Sequence, residues 1–319
     1  MKNPEFSIGN LIPELPIIQG GMAIRISTAS LAAAVAEEGG IGLIAATGMA
    51  VDELKQEIAK ARDLTKGIIG INIMYAASQF ANLVKTAIDE GIDLIVTGAG
   101  FSRDIFSWGR VAGVPIVPIV STPKLAMLSQ KLGAAAVVVE GKEAGGHLGT
   151  TVSMKEIVPM VKQAVSIPVI AAGGIIDGKA IKDAFKLGAD AVQMGTRFAA
   201  SNESNASEEF KRMYLAAKAE DVVLINSPVG LPGRGLLNSF VQRLFRDDDG
   251  IRPEKCDNCL KKCSRRFCIF KALIMSQQGD VENGLVFSGE RVGEIKDILS
   301  VKDIIKNLLF EFETAESGV

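Results

Sequence analysis

The sequence predicts a (β/α)8 barrel, and three features of its first 200 residues carry that prediction. Eight short runs rich in Val, Ile and Ala recur at regular intervals. Most are apolar at consecutive rather than alternating positions, as expected of parallel strands buried on both faces. Amphipathic segments separate them, and eight strand–helix units in succession close most simply into a ring. An open doubly wound sheet is the alternative. It needs a switch in strand order that eight similar units do not signal.

The runs, in order, are PIIQGG (16–21), IGLIAA (41–46), IIGINI (68–73), DLIVTG (93–98), PIVPIV (115–120), AVVVEG (136–141), PVIAAGG (168–174) and AVQMGT (191–196). Each begins after a turn signal and stops at Gly or a polar residue. Between the first two, STASLAAAVAEEGG reads as a helix started by Ser27 or Thr28 and ended by Gly39. VDELKQEIAKARD reads as the next, with Asp52 as its start cap. The barrel is predicted to occupy residues 1–200, and residues 201–319 an appended, mostly helical segment packing on or over the barrel mouth. In that segment SNESNASEEFKRMYLAAKAE (201–220) is polar and then helical, and NSPVGLPGRGLLNSF (226–240) reads as a loop containing Arg234, a candidate for an anionic substrate whose simpler reading is a solvated loop arginine. FCIFKALIMSQQGD reads as a helix ending near Gly279, GLVFSGERVGEI (284–295) as a lid over the barrel mouth, and VKDIIKNLLFEFETAE as a final helix.

Composition narrows the function. Of 319 residues, 48% are hydrophobic and 23% charged, with a formal net charge of -2, the balance of a globular protein with no broad basic face for a nucleic acid. The apolar runs are far shorter than the roughly 20 residues that span a bilayer, so no membrane partner is expected. The start, MKNPEFSIGN, lacks a charged segment followed by an apolar core, which predicts a cytoplasmic protein.

In a barrel of this kind the chemistry lies at the C-terminal ends of the strands. Here those ends carry GGM (20–22), Asn72, TGAG (97–100), EGKEAGGH (140–147), AAGG and GTRF. Glycine there serves tight turns, and it also lets a planar or phosphorylated ligand approach the backbone. The pair AAGGIIDG and GADAVQMGTRF, after the seventh and eighth runs, has the arrangement that holds a phosphate in many barrels, so a phosphorylated cofactor is expected. His147 is the only histidine of the chain, and it stands among Gly145, Gly146 and Gly149 with almost no side chains to pack against. An imidazole, whose unperturbed pKa is about 6.5, exchanges protons near neutral pH, which makes His147 the candidate catalytic residue.

Taken in order, IIQGGM, GINIM, EGKEAGGHLG, PVIAAGGI and GADAVQMGTRF resemble the flavin-dependent family of nitronate monooxygenases, also called 2-nitropropane dioxygenases, and flavin-type enoyl-acyl-carrier-protein reductases. The resemblance implies FMN in the barrel, with Gly21 and Met22 against the flavin, Asn72, Glu140, Gly146 and Gln193 nearby, and the phosphate on Gly173, Gly174, Gly195 and Thr196. It implies His147 facing the flavin. Two reactions follow from it: oxidation of a nitronate with dioxygen as oxidant, or reduction of an enoyl thioester with NAD(P)H as reductant. The remaining readings are a flavin and iron-sulfur reductase fed by an electron-transfer protein, and a non-enzymatic flavin-binding module. A homodimer is expected from the apolar helices of a barrel exterior.

All four cysteines fall in RPEKCDNCLKKCSRRFCIF, as Cys256, Cys259, Cys263 and Cys268. A chain of this length in a reducing compartment needs no disulfide staples, so the C-x2-C-x3-C-x4-C array points to metal or thiol chemistry. Four closely spaced thiolates suit an iron-sulfur cluster, zinc is the alternative, and unligated thiols are the third reading.

Overall fold

The computed structural model describes residues 6–247, 249–253 and 255–315; the first half of MKNPEFSIGN and residue 316 of the predicted last helix lie outside them. Eight parallel strands form the predicted closed barrel: β1 (Ile17–Gln19), β2 (Ile41–Ala45), β3 (Ile68–Met74), β4 (Leu94–Gly98), β5 (Ile116–Val120), β6 (Val137–Glu140), β8 (Val169–Ala172) and β9 (Ala191–Met194). The ring is closed by β1, which pairs with β2 at Ile18 and Ile41 and with β9 at Ile17 and Val192. Helices α1 (Ala29–Glu37), α2 (Val51–Leu64), α3 (Phe80–Asp89), α4 (Asp104–Ala112), α5 (Pro123–Leu132), α6 (Met154–Ala164) and α7 (Gly178–Lys186) follow the strands.

Side chains alternate across each strand, and both faces are buried. Ile18, Ile41, Leu43, Leu94, Val96, Val138 and Ile170 fill the barrel interior with Phe6 and Ile8. Their neighbours Ile44, Ile69 and Ile95 pack outward against α2 and α3, while Val137, Val139 and Val169 meet the helices on the other side. Apolar residues at consecutive positions are therefore required by a sheet with a filled interior and a coat of helices.

Two helix starts differ from expectation. Thr28 is the N-cap of α1 but its side chain makes no capping bond. The Ala29 N–H instead donates to Glu57 Oε2 of α2 at 2.6 Å. Ser27 is buried below, accepting from Gln19 Nε2 and from the Met22 N–H, each at 2.9 Å. Helix α2 begins one residue before Asp52, and Glu53 receives the Ala50 N–H at 3.2 Å. A carboxylate one turn inside the helix reaches the orphan N–H groups as well as a start cap does. Gly39 stands just beyond α1 with φ +83°, the left-handed residue that ends a helix.

Beyond β9 come α8 (Thr196–Ala199), α9 (Glu208–Ala216), α10 (Ser239–Phe245), α11 (Ile269–Gln277) and α12 (Val301–Thr314). The segment read as a loop over 226–240 is largely a hairpin of β10 (Val222–Asn226) and β11 (Pro232–Leu236), so Arg234 belongs to a strand. Its glycines suit close approach: a Cβ on Gly235 would lie 2.5 Å from the Val286 carbonyl. A two-residue strand, β7 (Gly146–His147), pairs with β11 to complete a second, three-stranded sheet. Helix α12 lies on the barrel exterior against α7, where Gly178 donates its N–H to Glu311 at 2.8 Å.

Gly42 marks where α1 touches the barrel most closely, since a Cβ there would sit 1.9 Å from the Ala32 carbonyl oxygen. Gly42→Ala must push the helix off the sheet, and we expect a stability loss of about 1–3 kcal/mol by urea unfolding. Wild-type stability in that variant would contradict the contact.

Candidate active site

Every residue that the sequence singled out for the cofactor or for catalysis lines one cavity at the C-terminal end of the barrel: Gly21, Met22, Asn72, Glu140, Gly146, His147, Gly173, Gly174, Gln193, Gly195 and Thr196. The first loop is held from inside the barrel. Gln19 accepts the Leu43 N–H at 3.0 Å, and its amide and the Met22 N–H converge on Ser27. Gly21 is needed for the protein's own packing, because a Cβ there would fall 2.2 Å from the Cβ of Asn72. Gly195 is different. Its added Cβ would meet only Met22, at an ordinary 3.7 Å, so the protein leaves space above this glycine.

Gly173 and Gly174 carry the chain through left-handed conformations, φ +103° and +69°. Facing them, Thr196 Oγ1 accepts the Gly289 N–H at 2.9 Å, while Arg291 donates to the Gly174 carbonyl at 3.0 Å and to Asp177 at 2.7 Å. The segment read as a lid thus contributes Phe287, Ser288, Gly289, Arg291 and Val292 to the cavity wall. Ser288 Oγ and Gln193 Oε1 are buried there without a hydrogen-bond partner.

His147 is placed by strand pairing. It lies opposite Gly233 of β11, Gly146 lies opposite Arg234, and the Leu148 N–H donates to the Pro232 carbonyl at 2.8 Å. The turn that joins β10 to β11 then brings Ser227 Oγ to 2.7 Å from His147 Nε2. The Phe287 ring meets the imidazole edge-on at 5.3 Å, and the Phe287 carbonyl is held by the Tyr214 hydroxyl. Nδ1 has no hydrogen-bond partner among the described residues. Burial without a counter-charge pushes the His147 pKa down to about 4, so its imidazole is neutral at physiological pH. Burial likewise pushes Glu140 up to about 8, keeping that carboxyl protonated. Both groups line the cavity.

Ser227, Arg291, Tyr214 and Phe287 escaped the sequence reading. Phe287 and Arg291 alone left a trace, inside the predicted lid. Arg234, the candidate for an anionic substrate, does not line the cavity: it donates to the Lys142 carbonyl at 2.7 Å and lies 3.7 Å from Glu290. The cysteines also stand outside the cavity lining, all unpaired and none fully buried. Burial first, and then Cys268, with Cys263 and Cys256 adding, raises the Cys259 pKa to about 11. Among the described residues, no three of His, Cys, Asp and Glu are gathered as a metal site.

The Glu140 shift has a definite sign in stability. The folded carboxyl stays protonated to about pH 8 whereas the unfolded one ionises near 4.5, so stability is fully present below 4.5 and is lost as pH rises toward 8. His147 works in the opposite sense, but only between about pH 4 and 6.5. The window from 6.5 to 8 therefore isolates Glu140. Flavin-free protein should lose on the order of 2 kcal/mol across it, and Glu140→Gln should remove that slope. Equal slopes in the two proteins would show that Glu140 is already ionised.

The chain matches the family model for nitronate monooxygenase over residues 7–311. FabK from Thermotoga maritima superimposes with a TM-score of 0.86 at 36% identity, covering 94% of this chain and 93% of that one. A probable nitronate monooxygenase from Staphylococcus aureus strain Newman is 31% identical over 79% of this chain and 84% of its own. A (3aS,4S,5R,7aS)-5-hydroxy-7a-methyl-1-oxo-octahydro-1H-indene-4-carboxyl-CoA dehydrogenase from Rhodococcus jostii is 30% identical over 92% of this chain and 91% of its own. No helix among the described residues is long and apolar enough to cross a membrane. With the barrel, the cavity at its mouth and a family match along nearly the whole chain, this protein belongs to the nitronate monooxygenase family and is a flavin-dependent oxidoreductase.

Proposed function

We propose that this protein oxidises a nitronate, the anion of a nitroalkane, at an FMN bound in the cavity. The observation that carries the proposal is the neutral imidazole of His147, fixed through Nε2 by Ser227 and without a protein partner at Nδ1. A neutral ring can donate an N–H to a nitronate oxygen, or accept a proton from a neutral nitroalkane, without first losing a proton of its own. Ile269, Phe270, Leu273 and Phe287 line the same cavity and give that hydrogen bond an apolar surround.

The residues present suit FMN. Gly173, Gly174, Gly195 and Thr196 would hold the phosphate, where backbone groups and a hydroxyl meet the space above Gly195. Gly21, Met22, Asn72, Glu140, Gly146 and Gln193 would flank the rest of the cofactor, and Gln193 Oε1 has no competing protein partner. When bound, the flavin supplies the electron acceptance that no side chain here offers, with dioxygen as the final oxidant.

A second reading, reduction of an enoyl thioester with NAD(P)H, is favoured by the apolar wall and by the acyl-CoA substrate in the name of the Rhodococcus jostii relative. It needs a proton donor beside the flavin. His147 is a weak candidate in its neutral state, whereas Glu140 keeps a proton to about pH 8.

Anaerobic holoenzyme mixed with a nitronate should lose its flavin absorbance in a single turnover and regain it on admission of air. His147→Ala should slow the bleaching by about 100-fold or more. Bleaching by NADPH alone, with no response to nitronate, would replace this proposal with the second reading.

A further inference from the structure

The cysteine segment takes no part in the cavity lining, yet its backbone is tied to three elements that carry or hold cavity residues. The Ser78 N–H donates to the Cys259 carbonyl at 3.0 Å and the Lys261 N–H to the Ala76 carbonyl at 2.9 Å, which fastens the segment to the chain leaving β3. The Ser264 N–H donates to the Pro228 carbonyl at 3.0 Å, next to the Ser227 that holds His147. Cys268 is the N-cap residue of α11, whose Ile269, Phe270 and Leu273 face the cavity. Leu260 and Phe267 anchor the segment by burial.

The thiols themselves serve none of these contacts. A free cysteine used for packing is among the most buried of residues. Here Cys263 is exposed and the other three only half-buried. Two turns share one form: Asn258 and Arg265, each two residues beyond a cysteine, adopt φ +51° and +58°. In the second turn the Arg265 N–H points back at Cys263 Sγ, at 3.3 Å, the kind of backbone bond to sulfur that surrounds thiolate-held metals. Lys261, Lys262, Arg265 and Arg266 are interleaved with the cysteines, and the only carboxylate between them in sequence is Asp257, while Arg266 also meets Asp247 at 3.3 Å. Four neutral thiols would do nothing to offset that positive charge. Four thiolates on a divalent ion would offset part of it.

We propose that Cys256, Cys259, Cys263 and Cys268 form a tetrathiolate site for a thiophilic metal, either a single zinc or an iron-sulfur cluster, which braces the wall carrying Ser227 and α11. The four thiols release their protons to solvent as four sulfur–metal bonds form. Because the thiols are not yet gathered in a metal-binding arrangement among the described residues, binding draws the four together.

The test is metal and acid-labile sulfide analysis of untagged holoenzyme purified under argon without chelator, beside the Cys259→Ser and Cys263→Ser variants. We expect about one zinc per chain, or iron with matching sulfide, and background metal in both variants with flavin content unchanged. Zinc without sulfide assigns the single ion, and iron with sulfide the cluster. Should the variants fold poorly, reduced metal-free wild-type protein titrated with Co2+ must develop the thiolate-to-cobalt charge-transfer band. Metal-free wild type that yields no such band overturns the proposal, as does metal retained in both variants. Metal content is read independently of any nitronate reaction, so this site and the proposed function stand or fall separately.

Discussion

The pairing of the two-residue strand β7 with β11 is the constraint on which the site depends. A loop of Gly145, Gly146, His147 and Gly149 has too few side chains to fix its own conformation. Backbone pairing to the hairpin supplies what packing cannot, and it sets which face of the loop His147 presents. The same hairpin carries Ser227 on its turn, so one register places both the imidazole and its partner. Gly233 and Gly235 keep the opposite face clear enough for Phe287 and Val286 to close against it. The residues after the barrel are thus part of the site.

Electrostatics follow from that enclosure. His147 and Glu140 are partly withdrawn from water without gaining a counter-charge, which shifts each toward its uncharged form. The cavity therefore contains a neutral base and a neutral acid where solvent would have given a partly charged imidazole and a carboxylate. In the proposed reaction the anionic substrate enters a site without fixed negative charge. Arg291 is the charged group on the phosphate side, and it is already engaged by Asp177 and Glu294. That leaves hydrogen bonding to orient the substrate.

Much of this was legible in the sequence. The barrel was, because strands buried on both faces must be apolar at consecutive positions, and β2, β4 and β8 are. The cavity residues were, through the strand-end glycines, the one histidine among them and the family resemblance of the motifs that contain them. What could not be read depends on contacts between distant parts of the chain. Pro232, Gly233 and Gly235 carry turn chemistry, yet β11 is a strand because β10 and β7 flank it. Glu57 stabilises the start of α1 from the next helix, a pairing that a search for local Ser, Thr or Asp caps overlooks. Ser227 has no sequence signal at all; its position 80 residues from His147 is bridged only by the fold.

The central claim is a neutral, fixed imidazole in the cavity, and a chain with one histidine permits a direct test. In untagged holoenzyme labelled with 15N-histidine, the ring resonances followed by NMR from pH 5.5 to 8 should stay at the values of one neutral tautomer. A titration with its midpoint near 6.5 would place His147 in water and contradict the account.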